Sequence, residues 1–195
     1  IFLTEHKLDR YCILWYCHCK YIAMAYKITV MKSSPTYLDD LKTIMEILSP
    51  KRSKEICYTT NPQQFELLRQ GLNILVSGNS FRYPGVPGLD LNSIVNRVRQ
   101  FDHSTVIIGW SDTKDEDTIK KTDGFFYVDP NLHKIIGVEN YFAISALKLS
   151  PFAFPLALFL TQCEFTSRKE TIEFLKREIN WNEEVQNLKN KCLKV

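Results

Sequence analysis

The chain has 195 residues, of which 45% are hydrophobic and 24% charged, ordinary values for a globular protein that can bury a full core. A formal net charge of +3, without a basic cluster, argues against a nucleic-acid partner. The longest apolar run, residues 151–160, contains two prolines and is too short to span a bilayer, so we expect no membrane partner.

The cysteines fit no small disulfide scaffold. Three lie in or beside apolar, strand-like runs, which indicates reduced thiols in an intracellular protein. The segment Cys17-His18-Cys19 contains residue types that bind zinc, but a single Cys-x-Cys pair without a second pair at ligand spacing is a weak indication. We therefore expect no metal. The six are Cys12, Cys17, Cys19, Cys57, Cys163 and Cys192.

The first quarter of the chain predicts two neighbouring strands. Residues 11–16 and 21–31 are β-rich apolar runs, and residues 32–35 form a loop. Residues 37–48 are ambiguous, because their apolar positions fit a helix while residues 43–47 also suit a short strand. The helical positions are Leu38, Leu41, Met45 and Leu48.

A turn, a strand and two helices are predicted next. Residues 50–54 form a charged turn, and residues 56–59 form a strand. Asn61 can cap a helix that continues to residue 76, with Pro62 in its first turn. After a loop rich in proline and glycine, Asp90 starts a second helix. Its apolar face consists of Leu91, Ile94, Val95 and Val98.

The segment from 103 to 138 is predicted to form the central strands against which the helices on either side pack. Residues 106–108 predict a strand buried on both faces, followed by a solvated excursion over residues 111–123. Residues 125–128 predict the next strand. Asp129-Pro130-Asn131 has turn chemistry, so residues 134–138 are expected to return as an antiparallel strand.

The last third predicts helices. The apolar segment 149–160 is expected to be helical in its second half. Ser167 and Glu170 form a capping box in front of an apolar stripe. Residues 180–195 are a last helix or a tail, and the whole chain, 1–195, is one domain. Strands, two helices, strands and then helices favour a layered α+β sandwich.

The run from residue 20 to about residue 179 resembles a 20S proteasome subunit. The resemblance depends on the order and spacing of many pieces rather than on one motif. The pieces are residues 21–31, 43–48, 56–60, 62–76, Phe81-Arg82-Tyr83, residues 91–98, Gly109-Trp110, Asp129-Pro130 and residues 134–138.

The resemblance implies a four-layer α-β-β-α sandwich, the N-terminal nucleophile hydrolase fold, with two antiparallel sheets between helical layers. In that fold residues 38–47 are loop and strand instead of helix. The segment Phe81-Arg82-Tyr83 and the Asp129-Pro130 pair favour an alpha-type subunit, and a non-catalytic beta-type subunit is the nearest alternative. The alpha family's opening helix has no match in residues 1–10.

The function implied is that of a non-catalytic subunit in a heptameric ring of the proteasome core. Such a subunit supports ATP-dependent, ubiquitin-linked protein degradation and substrate entry in cytoplasm and nucleus. Its partners would be other alpha-type and beta-type subunits, a regulatory particle or activator, and unfolded substrates in transit. No cofactor, metal or catalytic residue is expected.

Two features of the sequence bear on this assignment. Active beta subunits use an N-terminal threonine as nucleophile, whereas this sequence starts at Ile1 and its nearest threonine, Thr4, has no processing site. Glu46 lies near the position where alpha subunits carry a regulator-binding lysine. Ring contacts are expected from residues 81–89 and from the helix 91–98.

A papain-like cysteine peptidase is an alternative from another class. Cys19, His103 and Asp129 occur in the order nucleophile, base and orienting acid, and the segment after His103 is similar to the histidine strand of that family. However, Cys19 lies in a strand-like run without an upstream glutamine for an oxyanion hole. His103 at a strand start is more commonly a surface or capping residue. A plain scaffold domain of another complex is a third interpretation.

Overall fold

The computed structural model describes residues 26–61, 72–81, 89–112, 115–129 and 131–194. Within these residues, five strands form a parallel sheet and two short strands form an antiparallel pair. In chain order the strands are β1 (Lys27–Met31), β2 (Ile56–Thr59), β3 (Asn73–Ser77), β4 (Ser80–Phe81), β5 (Leu89–Asp90), β6 (Val106–Ser111) and β7 (Gly124–Tyr127). The parallel sheet has the order β2-β1-β3-β6-β7, and β4 pairs with β5.

Helices cover both faces of the parallel sheet. They are α1 (Pro35–Leu48), α2 (Pro50–Glu55), α3 (Leu91–Phe101), α4 (Glu116–Lys121), α5 (Leu132–Ile136), α6 (Val138–Ala146), α7 (Phe154–Gln162), α8 (Arg168–Leu175) and α9 (Trp181–Cys192). The apolar side chains of α1, α7 and α9 share one core with one face of the sheet. Those of α3 form a second core on the opposite face.

The central strands are buried on both faces, which explains their sequence. Every residue of β3 and β6 is buried. Val30 pairs with Val76, and Val76 pairs with Ile108, so the larger core receives a row of β-branched side chains. Parallel sheets covered by helices on both faces have such nearly continuous apolar strands.

Several local predictions are confirmed. Strands lie at residues 56–59 and 106–108, and β7 covers most of the predicted strand 125–128. Asp90 caps α3 through a hydrogen bond from Ser93 N, and Ser167 caps α8 through Glu170 N. The second half of the apolar segment 149–160 is helical, and the C-terminal region is the helix α9. The mixed content of helices and strands is also confirmed.

The predicted antiparallel return strand at residues 134–138 is wrong. Those residues belong to α5, to the Gly137 junction and to the start of α6. Asp129 favours this outcome because its carboxylate accepts hydrogen bonds from Asn131 N and Nδ2, at 2.7 and 2.9 Å, and its carbonyl accepts one from Leu132 N. Leu132 and Ile136 then bury one helical face.

Three further assignments need correction. Residues 38–47 are not loop and strand, because they lie inside α1, as their helical spacing indicates. Residues 50–54 are helical in α2 instead of forming a turn. Of the helix expected over 62–76, residues 62–71 lie outside the described residues, and residues 73–76 belong to β3. Its short apolar run is buried on both faces, a case in which periodicity cannot separate helix from strand.

These corrections remove three of the nine pieces on which the proteasome resemblance depends: residues 43–48, the end of 62–76 and residues 134–138. The strand pairs of the main sheet are all parallel, whereas the resemblance implies antiparallel pairs. The apolar face of α3 is buried against its own sheet. The loop 82–88 and residues 1–25 lie outside the described residues.

Arg52 connects the two halves of the chain. Its Nη1 donates to three carbonyl oxygens at the end of α7, those of Leu160, Thr161 and Cys163, at 3.0, 3.2 and 2.6 Å. Its guanidinium also lies over the rings of Tyr26 and Phe165. Arg52 therefore satisfies the carbonyl groups that the end of a helix leaves without partners.

Candidate functional site

The strand order places a topological switch point between β1 and β3. After β1 the chain turns to α1 on one face and then to β2, outside β1. After β3 it leads to α3 on the other face and then to β6. Connections that leave neighbouring strands in opposite directions open a crevice at the carboxyl ends of those strands, where α/β proteins bind ligands.

Lys32 is the first residue after β1 and lies across this crevice. The residue is 6% exposed, and its Nζ donates a hydrogen bond to Trp110 O at 2.7 Å. Trp110 belongs to β6, two strands away in the sheet. The side chain therefore extends from the end of β1, past β3, to the end of β6.

Gly78 makes room for this side chain. It follows β3, and a Cβ added to it would lie 3.0 Å from Lys32 Cδ. Gly78 N also donates to Met31 O at 2.9 Å, which fixes the two strand ends beside each other. A larger residue at position 78 would push Lys32 away from its present course.

Two aromatic rings line the site. Lys32 Nζ lies 5.0 Å from the ring centroid of Tyr37 and 5.3 Å from that of Trp110, distances that suit cation–π contacts. The two rings meet edge to face at 5.9 Å. Trp110 is fully buried, and its Nε1 has no hydrogen-bond partner. Buried indole N–H groups usually have a partner, so Trp110 Nε1 is an unusual buried donor without one among the described residues.

The first turn of α1 adds backbone donors to the same place. Helices α1, α3 and α4 begin at this edge of the sheet, and the N-cap carboxylates of α3 and α4 bind backbone N–H groups: Asp90 that of Ser93 at 2.7 Å, Asp115 that of Asp117 at 3.2 Å. Ser34, the N-cap of α1, makes no such bond. The N-terminus of a helix attracts anions, and this one is uncapped.

The electrostatics of the site centre on Lys32. Burial lowers the pKa of Lys32 from 10.5 to about 8, and the nearby Asp112 carboxylate partly opposes this change. Burial, followed by the charges of Asp112 and Asp40, raises the pKa of Tyr37, so the phenol stays protonated near neutral pH. Shifted pKa values in a cleft are typical of functional sites.

A different polar network lies at the amino edge of the sheet. Asp123 accepts hydrogen bonds from Arg99 at 2.6 Å, from Ile107 N at 2.8 Å and from Arg168. Asp102 accepts bonds from Asn73, Ser104 and Thr105. Burial alone would raise the pKa of Asp102, but these bonds lower it below its ordinary value.

The residues of the peptidase alternative do not come together. His103 is exposed before β6, at the amino edge, and Asp129 follows β7, at the carboxyl edge. Because the strands are parallel and rise about 3.3 Å per residue, the two residues are roughly 20 Å apart. The pair that would orient an imidazole is therefore not formed. Cys19 lies outside the described residues, as does Thr4.

The other predicted positions have ordinary surroundings. Glu46 lies on the exposed side of α1, 4.0 Å from Lys42 Nζ. No group of three or more His, Cys, Asp or Glu side chains among the described residues could hold a metal ion. Cys17, His18 and Cys19 are not among those residues.

A cavity of about 410 Å³ lies elsewhere, between the end of α7 and α8. Burial raises the pKa of Cys163 in its wall, so this thiol stays protonated and is a poor nucleophile. Its ionisable lining carries both signs of charge, with two glutamates and Arg177. We prefer the crevice at Lys32, because within the part of the chain that the structure describes only this place combines the switch point of the strand order with a buried cation and unused donors.

The comparisons with known proteins add no assignment. Neither family models, nor curated proteins, nor solved structures give a match to this chain. Among the residues that the structure describes, no helix is both long and apolar enough to cross a membrane.

Sequence reasoning missed Lys32 by assigning residues 32–35 to a plain loop. The signal lay in the order of residues: an apolar β-branched strand, a lysine, two serines and then Pro35 at the first helical position. In a parallel sheet that order places the lysine and a helix N-terminus together at the carboxyl edge. It was hidden because the sheet was expected to be antiparallel.

Proposed function

We propose that this chain binds a small anionic molecule, carrying a carboxylate or a phosphate, in the crevice over the carboxyl ends of β1, β3 and β6. Lys32 supplies the positive charge. The first turn of α1 supplies backbone N–H donors, with the Ser34 hydroxyl beside them. Tyr37 and Trp110 supply apolar walls.

One observation carries the proposal: a buried lysine that makes one hydrogen bond. An ammonium group has three N–H donors, and Lys32 gives one of them to Trp110 O. Burying a charged group is unfavourable unless it is paired and hydrogen-bonded. The ion pairs of the described residues give Lys32 no carboxylate partner within 4.0 Å. An anion in the crevice would supply the missing partner.

A purely structural role for Lys32 makes a different prediction. A lysine that only joins β1 to β6 would be replaceable by methionine, which has similar length and packs well. Replacing a buried charge by an apolar residue of similar volume is often neutral or stabilising. The structural role therefore predicts that Lys32→Met is tolerated and that anions have no effect on either protein.

The test is a titration with two probes, inorganic phosphate and malonate, followed by ¹⁵N-resolved amide shifts and by thermal stability. We expect saturable shifts at Ser33, Ser34 and Gly78 and a higher melting temperature. Lys32→Met should weaken binding by about tenfold or more, since a charged hydrogen bond contributes about 1.5–3 kcal/mol. Lys27→Met is the matched control, because Lys27 lies on the same strand at the opposite edge of the sheet.

The outcomes separate clearly. Shifts at residues 33–34 and 78 that vanish in Lys32→Met and persist in Lys27→Met would support the proposal. Equal shifts in both variants, or shifts scattered over exposed lysines, would show general ionic screening and would overturn it. Circular dichroism spectra of both variants establish that they are folded.

The proteasome-subunit function is a second and separate proposal. It includes the ring partners and the cytoplasmic and nuclear location, but not the antiparallel sandwich. The order and spacing of the sequence pieces support it. That support is weaker than the sequence alone suggested, because residues 38–47, 73–76 and 134–138 have been corrected. Its test is the native mass of the particle that contains this chain. A stacked ring of many similar chains would establish it, and a monomer near 22.8 kDa would exclude it.

A further inference from the structure

We propose that Lys32 forms a reversible imine with its ligand, which is then an anionic aldehyde or 2-oxo acid. This inference rests on the proposed anion site and adds the chemical class of the ligand. The anionic group would lie against the first turn of α1, and the carbonyl carbon against Lys32 Nζ.

Burial makes the neutral amine of Lys32 more accessible near neutral pH than that of an exposed lysine. A neutral amine has two N–H groups and one lone pair, and the bond to Trp110 O, at 2.7 Å, uses one N–H. That bond fixes the nitrogen over the carboxyl end of β6, while Gly78 keeps the path of the side chain open. The lone pair is then available for attack on a carbonyl carbon. Lysines become nucleophiles in this way when they are desolvated.

The same surroundings suit the product. A protonated imine is a cation on the nitrogen that now lies 5.0 and 5.3 Å from two aromatic ring centroids. Such rings attract cations most strongly where water is excluded. Asp112, which directly follows β6, supplies a negative charge close enough to raise the pKa of Lys32, and this charge also favours a cation at Nζ.

The step balances without any other reactant. The nitrogen lone pair forms a C–N bond while the carbonyl π electrons move to oxygen, and a proton transfers from nitrogen to that oxygen by way of water. The carbinolamine then loses its hydroxyl group and the remaining N–H proton as one water molecule. A neutral C=N bond is left, and it takes up one proton from the solvent to give the protonated imine, with no change of oxidation state.

The reactivity expected of Lys32 is distinct from that of surface lysines. At pH 7.5 an amine with a pKa of about 8 is neutral in about a quarter of molecules, roughly two hundredfold more than an ordinary lysine. Lower basicity also reduces intrinsic nucleophilicity, so the net preference should be smaller. We expect on the order of tenfold selective modification.

The experiment traps the imine with cyanoborohydride and locates the adduct by peptide mass mapping. Three probes are used: pyruvate carries a carboxylate, glycolaldehyde phosphate carries a phosphate, and propanal carries no charge. We expect both anionic probes, or one of them, to modify Lys32 about tenfold more than any exposed lysine, and propanal to show no such preference. The anionic probe that gives the higher yield of adduct at Lys32 identifies the anionic group as a carboxylate or a phosphate.

Lys32→Arg distinguishes this inference from the anion site. Arginine keeps the positive charge and cannot form the imine, so the variant should still bind phosphate and should lose the adduct. Phosphate binding by the unaltered protein without any preferred adduct at Lys32 would overturn the imine and leave the anion site standing. Absence of both phosphate binding and the Lys32 adduct in the unaltered, folded protein would overturn both. Adducts distributed among lysines according to their exposure would also overturn the imine.

Discussion

The two edges of the parallel sheet differ in how their buried charged groups are paired, although each edge holds one buried donor without a partner among the described residues, Arg168 Nε at the amino edge and Trp110 Nε1 at the carboxyl edge. At the amino edge, the Asp123 carboxylate accepts bonds from two arginines and a backbone N–H, and Asp102 accepts bonds from three neighbouring residues. At the carboxyl edge, Lys32 makes one hydrogen bond and Trp110 Nε1 makes none.

This difference indicates which edge holds the chain together and which binds. Polar groups that satisfy one another need no ligand, and their removal leaves buried partners unpaired. Polar groups that lack partners reduce stability, and proteins keep such groups where function requires them. In open parallel sheets the carboxyl edge is the functional one.

The largest effect is expected from Asp123→Asn at the amino edge. This change leaves Arg99 and Arg168 without the charge that they share. Breaking a buried ion pair typically costs 3–5 kcal/mol, and Asp123 is buried whereas the two arginines are partly exposed. We therefore expect the free energy of unfolding to fall by about 3 kcal/mol in urea titrations. Asp117→Asn on the exposed side of α4 is the control and should change stability by less than about 0.5 kcal/mol. A similar loss in both variants would remove the distinction between the edges.

The next effect is a dependence of stability on pH at Lys32. The unfolded chain holds this proton up to a pKa near 10.5, and the folded chain releases it near 8. Between these values the unfolded state binds more protons, so stability rises with pH across that window. Relative to Lys32→Met, the unaltered protein should gain roughly 3 kcal/mol from pH 7.5 to pH 11.

Chemical unfolding at several pH values measures that difference. The comparison must be made between the two proteins, since Tyr37 and Tyr58 also have raised pKa values and titrate in the alkaline range. Parallel stability curves for the unaltered protein and Lys32→Met would mean that Lys32 is not held as an unfavourable buried cation.

The smallest effect compares two helix caps at the carboxyl edge. Asp90 binds Ser93 N at 2.7 Å, so Asp90→Ala should lower stability by about 1 kcal/mol. Ser34 makes no capping bond, so Ser34→Ala should change stability by less than about 0.5 kcal/mol while weakening phosphate binding. Equal losses of stability would show that Ser34 is an ordinary cap.

The sequence predicted the local elements better than their arrangement. The helix from Asp90, the strand at 106–108 and the capping box at Ser167 follow from residue spacing and capping chemistry, which act within a few residues. The relative direction of β6 and β7 does not follow from local spacing, because it depends on whether the segment between them is a hairpin loop or a crossover connection. A polar, solvated segment was predicted there, and the structure shows that it contains α4.

The resemblance misled where it overruled local physics. Leu38, Leu41 and Met45 have helical spacing and are buried in α1, yet the resemblance assigned them to loop and strand. The site was missed for a related reason. Lys32 can be recognised as a site residue only when β1 is known to be parallel to β3 and β6. Its reach to Trp110 is a long-range contact that no window of sequence contains.

Arg52 has a consequence for the order of folding. Its contacts with the end of α7 join residues 108 or more positions apart, so they must await the closure of a very long loop. Contacts that form after the transition state slow unfolding without accelerating folding. We therefore expect Arg52→Met to accelerate unfolding and to leave the folding rate nearly unchanged in stopped-flow measurements. Arg52 would then stabilise the native state kinetically, because its contacts between the two halves of the chain form late in folding and must break before unfolding.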